Sequence, residues 1–329
     1  MKLNFNHTPP AVPIMTHPGI EMIGKRIADA VTNGNIQADA VTALAEKTPS
    51  DAATMIMDLT VEAEAFGCKL RFSPNNLPSV ENRLLQNAAD VTELRVPDLN
   101  TGRVNEYLKA NRSAARRITD RPVYAGCIGP FSLAGRLYDI TEIMMALFIE
   151  PEMVKKLLIK CSAFIMEYVK ALKDTGVEGV IMAEPVAGLL SNEDAMRFST
   201  YYIRPIVDSV QDNDFLVTVH NCGNTGQCTQ SMIATGAGAL SFGNRCDIVS
   251  ALNEVPSDRI VMGNLDPVRV FKDMSPENLY DETMKLLTST AAFKNFVIST
   301  GCDVPAGVSH KNINAFFSAI MDFRQQKKQ

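Results

Sequence analysis

What most restricts the fold of this chain is a set of eight short apolar runs: AVPIMT (11–16), ATMIMDL (53–59), PVYAGCIG (122–129), EGVIMAE (178–184), FLVTVHN (215–221), ALSFGN (239–244), RIVMGNL (259–265) and FVISTG (296–301). Helical patterns separate them, at about 20–32, 36–47, 102–118, 192–211, 275–290 and 309–326. The clearest begins at Pro151, a favoured first-turn residue, places Val154, Leu157, Leu158, Cys161, Phe164, Ile165, Tyr168 and Leu172 on one face, and stops near Gly176. Strands apolar on both faces that alternate with helices belong to parallel β/α units. Eight of them in 329 residues predict an α/β fold, a (β/α)8 TIM barrel forming one domain over residues 1–329. A doubly wound open sheet is the alternative. The stretch 69–110 has three prolines and no clear strand, and reads as an excursion between the second and third strands.

Composition limits the function classes. A net charge of −5, with Lys and Arg scattered, lacks the basic patch of a nucleic-acid binder. The first residues, MKLNFNHTPP, contain no apolar leader core, and no window approaches the roughly 18 apolar residues of a membrane span, so a cytoplasmic location is expected. Seven irregularly spaced cysteines suit reduced thiols or metal ligands better than a disulfide framework.

Catalytic groups of such barrels sit where strands end. The polar residues there are His17, Asp58, Glu184, His220 with Cys222, Asn244, Asn264 with Asp266, and Cys302 with Asp303. One of only four histidines lies two residues from a cysteine, on the same side of an extended chain. A third thiol, Cys302, follows at the end of the eighth strand. Two cysteines and a histidine leave the fourth position of a tetrahedral zinc open, as in catalytic rather than structural sites. Two plainer readings stand beside it: ordinary buried thiols with a core histidine, and a structural zinc closed by Cys228 or Cys246.

HNCGNTG, the late TGCDVP, DLTVEAEAFGCKL (58–70), GCIGPFSLAGRL (126–137) and MAEPVAGLLS (182–191) together resemble the uroporphyrinogen decarboxylase superfamily, and within it the zinc-dependent corrinoid methyltransferase branch. The resemblance runs from about Pro13 to the C-terminal helix. It implies a barrel whose mouth receives methylcobalamin carried by a partner corrinoid protein, with zinc on His220, Cys222 and Cys302. Glu184, in Glu184-Pro185-Val186-Ala187, is the implied fourth ligand of the resting site. The methyl acceptor would be a thiol such as coenzyme M, or a folate. Asp58, Glu184 and Asn264 are the candidate catalytic residues, and His17, Gly223 and Asn244 the candidate corrinoid contacts. Asn244, Asn264 and Asp266 are the candidates for holding the second ring nitrogen of His220. Residues 1–25 hold no arginine, whereas the decarboxylase members grip substrate carboxylates with an arginine-bearing N-terminal loop. Tetrapyrrole decarboxylation and non-catalytic corrinoid binding are the alternatives. Exposed barrel helices allow a homodimer.

Overall fold

The computed structural model describes residues 3, 5 and 9–327, so most of the stretch read above for a leader lies outside the described residues. The strands are β1 (Ala53–Thr54), β2 (Leu70–Ser73), β3 (Asn76–Val80), β4 (Val123–Ile128), β5 (Gly179–Ala183), β6 (Leu216–Asn221), β7 (Ala239–Phe242), β8 (Ile260–Leu265) and β9 (Phe296–Thr300). Seven of them form one parallel sheet in the order β1-β4-β5-β6-β7-β8-β9. Its curl into a TIM-barrel-like fold follows from what happens at the two edges.

The first apolar run, expected as a full strand, makes a single parallel bridge, Ala11 with Ile298. Pro13 has no N–H to give a ladder, so regular pairing cannot run through it. The segment nevertheless bonds to both edges of the sheet. Val12 donates to the Ile298 carbonyl at 2.9 Å, and Ile298 to the Pro10 carbonyl at 2.9 Å. Towards β1, Asp51 donates to the Ala11 carbonyl at 2.8 Å, and the Ala11 N–H is taken by the Asp51 carboxylate at 2.7 Å. Arg324 of the last helix fixes that carboxylate at 2.6 Å. The eighth position of the barrel is filled by one bridge and by single backbone and side-chain bonds where a ladder was expected.

Inside the barrel, Val12, Ile14, Met57, Tyr124, Ile181, Ala183, Ala239, Met262 and Val297 pack together. Alternate strand residues such as Val180, Met182, Leu240 and Val261 face the helices instead. The expected helices are present, with adjustments. The pattern at 20–32 splits into His17–Met22 and Ile27–Val31 around Gly24, whose φ is +66°. Gly34–Lys47 starts at Asn33, whose side chain accepts from Asn35 and Ile36. The pattern at 192–211 carries a π turn at Met196–Thr200 before Tyr201–Val210. Two helices not expected from the sequence, Pro130–Tyr138 and Ile140–Ile149, follow β4.

The excursion 69–110 differs from expectation, since it contains an antiparallel hairpin of β2 and β3. Arg103 joins it to the barrel rim. Its guanidinium reaches Asp58 at 2.6 Å, Thr60 at 2.9 Å, Glu64 at 2.6 Å and the Val31 carbonyl at 3.1 Å, under the ring of Phe72. Among the described residues no helix is long and apolar enough to cross a membrane.

Glu62 lies in the same rim. Its Oε1 accepts from the Ile128 N–H at 2.9 Å, while Oε2 is buried without a partner. Burial pushes its carboxyl up to about 7, against the Ile128 bond that favours the charge. A folded-state value above the ordinary 4.5 means that the folded chain holds the extra proton between the two values, so stability falls as pH rises through this window. Urea midpoints should show wild type losing about 3 kcal/mol relative to Glu62→Gln between pH 4.5 and 7. Parallel curves for the two proteins would contradict this.

Candidate metal centre

The register between β6 and β7 sets the site. His220 pairs with Ser241 and lies beside Ala183 on the other side, so its side chain enters the barrel with Ala183 and Ala239. Its Nδ1 is 2.9 Å from the Ser241 hydroxyl. Its Nε2 is buried and has no hydrogen-bond partner. An imidazole that donates from Nδ1 carries its free lone pair on Nε2, the tautomer a metal requires.

Two thiols meet that nitrogen. Cys222 lies one residue past β6, and the bend at Gly301 and Cys302 after β9 turns the second thiol to the same place. The ligand atoms of His220, Cys222 and Cys302 lie within 4.8 Å of one another. Cys222 and Cys302 are half-buried, whereas Cys68, Cys127, Cys161, Cys228 and Cys246 are buried. Cys228 sits against the Ala187 and Leu190 carbonyls, and neither it nor Cys246 belongs to the cluster. A metal closed by one of those cysteines therefore has no geometric basis.

An unpartnered, buried imidazole nitrogen facing two sulfurs suits a borderline-soft divalent ion such as zinc. Without a metal the two thiols act on each other. The Cys302 thiol beside it lowers Cys222 to about 7 despite burial, while Cys302 is pushed well up by its bond to Cys222 and by burial.

The loop after β6 is shaped by its asparagines. Asn221 accepts from Gly223 at 3.1 Å and Asn224 at 3.0 Å, and Asn224 in turn from Gly226 at 2.8 Å and Cys228 at 3.0 Å. Gly223 is pressed against the Pro185 carbonyl and Gly188, a packing reason for glycine that needs no corrin contact.

The other expected residues have different occupations. Glu184 stands outside the cluster: its carboxylate accepts from the Phe131 and Ser132 N–H groups at 2.8 Å each and from the Ser199 hydroxyl at 3.0 Å. It thus caps the start of Pro130–Tyr138 and ties in the π turn that carries Ser199. Burial pushes this carboxyl up, against the donors from Ser132, Phe131 and Ser199. A fourth-ligand role would have to break those bonds. Asp58 accepts from Arg103, from Thr60 at 2.9 and 2.6 Å and from the Tyr107 hydroxyl at 3.3 Å, so its oxygens join the rim to Arg103 of the excursion.

Neither Asn244, Asn264 nor Asp266 holds His220; Ser241 does. Asn264 donates to the Gly243 carbonyl at 3.0 Å and the Cys246 carbonyl at 2.7 Å, and the exposed Asn244 donates to Asp266 at 2.8 Å. His17 Nδ1 lies 3.0 Å from the Val304 carbonyl and 3.4 Å from Asp303, which also accepts from the Thr16 hydroxyl at 2.8 Å. That set straps the loop carrying Cys302 to the first segment. Ser241 was missed; the signal was a hydroxyl at an inward position of the otherwise apolar strand ALSF, in register with His220.

In metal-free protein, alkylation of Cys222 by iodoacetamide should rise with pH through a midpoint near 7, as the thiolate forms. Cys302→Ala removes the largest influence lowering Cys222 and leaves burial opposed only by a backbone hydrogen bond, so the midpoint should move upward. An unmoved midpoint would mean that the two thiols do not act on each other.

The whole fold has known counterparts. A methyltransferase structure from Methanosarcina mazei superposes with a TM-score of 0.87 at 21% identity, over 95% of this chain and 94% of that one. In sequence, the methylcobamide:CoM methyltransferase MtbA of Methanosarcina mazei is 29% identical over 278 residues, 83% of this chain and 80% of its own length. The uroporphyrinogen decarboxylase of Enterobacter sp. is 26% identical over 283 residues, 83% of this chain and 78% of its own. The family model for uroporphyrinogen decarboxylase (URO-D) matches residues 6–323, and the chain belongs to that family.

Proposed function

We propose that the chain is a zinc-dependent methyltransferase that moves a methyl group between a methylated corrinoid, carried by a partner corrinoid protein, and a thiol acceptor of the coenzyme M type. The observation that carries this reading is the orphaned Nε2 of His220 facing the thiols of Cys222 and Cys302 at the C-terminal mouth of the barrel. The relatives named methylcobamide:CoM methyltransferase support the corrinoid and thiol assignments.

His220, Cys222 and Cys302 would hold the metal and leave one coordination place for the acceptor. Zinc bound there would supply Lewis acidity, so that an acceptor thiol could give its proton to solvent water near neutral pH without any redox change. The chain's own groups do the rest. Ser241 holds the ring of His220 by Nδ1 and leaves Nε2 for the metal. The sulfurs of Cys222 and Cys302 would offset the charge of a bound dication, which would leave an acceptor sulfur its electron density. Their partial exposure leaves an approach from the mouth, while the apolar layer of Ile181, Ala183 and Met262 closes the barrel below. In the transfer the acceptor sulfur forms the new carbon–sulfur bond with its lone pair. The electrons of the cobalt–carbon bond stay on cobalt, which leaves as cobalt(I).

Elemental analysis of wild type should give one zinc per chain. Cys302→Ser should lose zinc together with thiol-dependent cobalt(I) formation from methylcobalamin, followed by absorbance. Ser241→Ala should keep the ligands but weaken zinc binding by about 10- to 100-fold. Wild type purified without chelators and free of zinc would overturn the proposal.

A further inference from the structure

The two thiols come from strands that are not neighbours, since β7 and β8 separate β6 from β9. The loop after β7 nevertheless touches the backbone beside each of them, and at each touching point stands a glycine. A Cβ on Gly243 would lie 2.6 Å from both Cα and the carbonyl oxygen of Cys222. One on Gly301 would lie 2.9 Å from the Asn244 Cβ and nearer still to the Asn244 nitrogen. Real Cβ atoms essentially never approach so closely, and backbone cannot swing aside as a side-chain end can. The end of β8 braces the same contacts: Gly301 donates to the Leu265 carbonyl at 2.7 Å, Asn264 to the Gly243 carbonyl, and Asp266 accepts from Asn244.

We infer that Gly243 and Gly301 are positioning residues, which set the separation of the Cys222 and Cys302 sulfurs before any metal arrives. They do so through the continuous path Cys302, Gly301, Asn244, Gly243, Cys222. The inference deepens the zinc reading above and rests on it for its function. Asn264, expected as catalytic, acts in this path through Gly243 and touches no reacting group. A ligand spacing held by backbone is not bought from the metal's binding energy, so affinity depends on the exclusion of a methyl group at two places.

Gly238 provides the control. It precedes the same strand that Gly243 follows, at the opposite end of the barrel, and a Cβ there would meet the ends of the Leu216 and Gln211 side chains and no backbone as close. Gly243→Ala, Gly301→Ala and Gly238→Ala would be compared with wild type, with folding followed by circular dichroism. The first readout is zinc transfer to excess 4-(2-pyridylazo)resorcinol. The second is capture of phenylarsine oxide by the metal-free proteins, in which one arsenic forms two As–S bonds and releases water.

Gly243→Ala and Gly301→Ala should lose zinc and lose arsenical capture by on the order of tenfold or more, while Gly238→Ala matches wild type. Equal effects in all three, or none in any, would overturn the inference. Wild type that captures the arsenical but contains no zinc would overturn the zinc reading and leave this one standing. Zinc-bearing wild type with unaffected alanine variants would do the reverse. If both alanine variants fail to fold, hydrogen exchange in metal-free wild type decides: a slow Gly301 amide supports a preset site, and a freely exchanging one sinks it.

Discussion

A parallel sheet that curls must do something with its two edges, and here everything at the barrel mouth depends on how that is done. The edge groups of β1 and β9 are satisfied by a segment that Pro13 prevents from being a strand. Its bonds are made one at a time, through Asp51, Thr54 and Thr300 side chains as well as through backbone. Such a closure has a functional side. Since the segment is not locked into a ladder, its end at Thr16 and His17 is free to grip Asp303 and Val304, and so to hold the loop that delivers Cys302. The closing segment and the loop of Cys302 are parts of one construction.

Electrostatics sorts the polar residues of the mouth into two kinds. Asp58 and Glu184 are buried acids, and the structure surrounds each with donors: a guanidinium, hydroxyls and an N–H for one, a helix start and a serine for the other. Buried charge is tolerable only when compensated in this way, and once compensated it is costly to redeploy. The imidazole of His220 is the opposite case. Its Nδ1 is engaged and its Nε2 is not, although both are out of water. Other orphaned atoms occur, on Gln37, Glu62 and Asn111, so an orphan alone signifies little. What separates His220 from them is the pair of sulfurs within ligand distance.

The legible parts of this fold are those in which one residue's surroundings follow from its own sequence neighbours. Strands buried on both faces must be apolar along their length, which is why the barrel runs stood out. Hairpin β2–β3 did not, because its residues are mostly exposed or half-buried, include Pro78, and need satisfy no core. Helices Pro130–Tyr138 and Ile140–Ile149 were hidden for the contrary reason: the stretch is apolar almost all round, and the break at Asp139, with φ of +80°, has no glycine to announce it. The cluster of His220, Cys222 and Cys302 was legible from spacing and strand ends. Its supports were not. Ser241 is chosen by cross-strand register, and the donors to Glu184 are mainly backbone N–H groups that carry no residue identity.

Family membership by itself does not select the chemistry. Named methyltransferases and named decarboxylases align with this chain over similar lengths and at similar identity, because both share the strands, helices and packing that most residues encode. The discriminating information is confined to a few positions at strand ends. A thiol set that must accept an external sulfur has to be open on one side, so it cannot lie in the core. It must also exclude water from most of its surface, so it cannot lie on the outer helices. In a barrel those two demands meet at the mouth, and there the chain places its two half-buried cysteines, beside the inward histidine of β6.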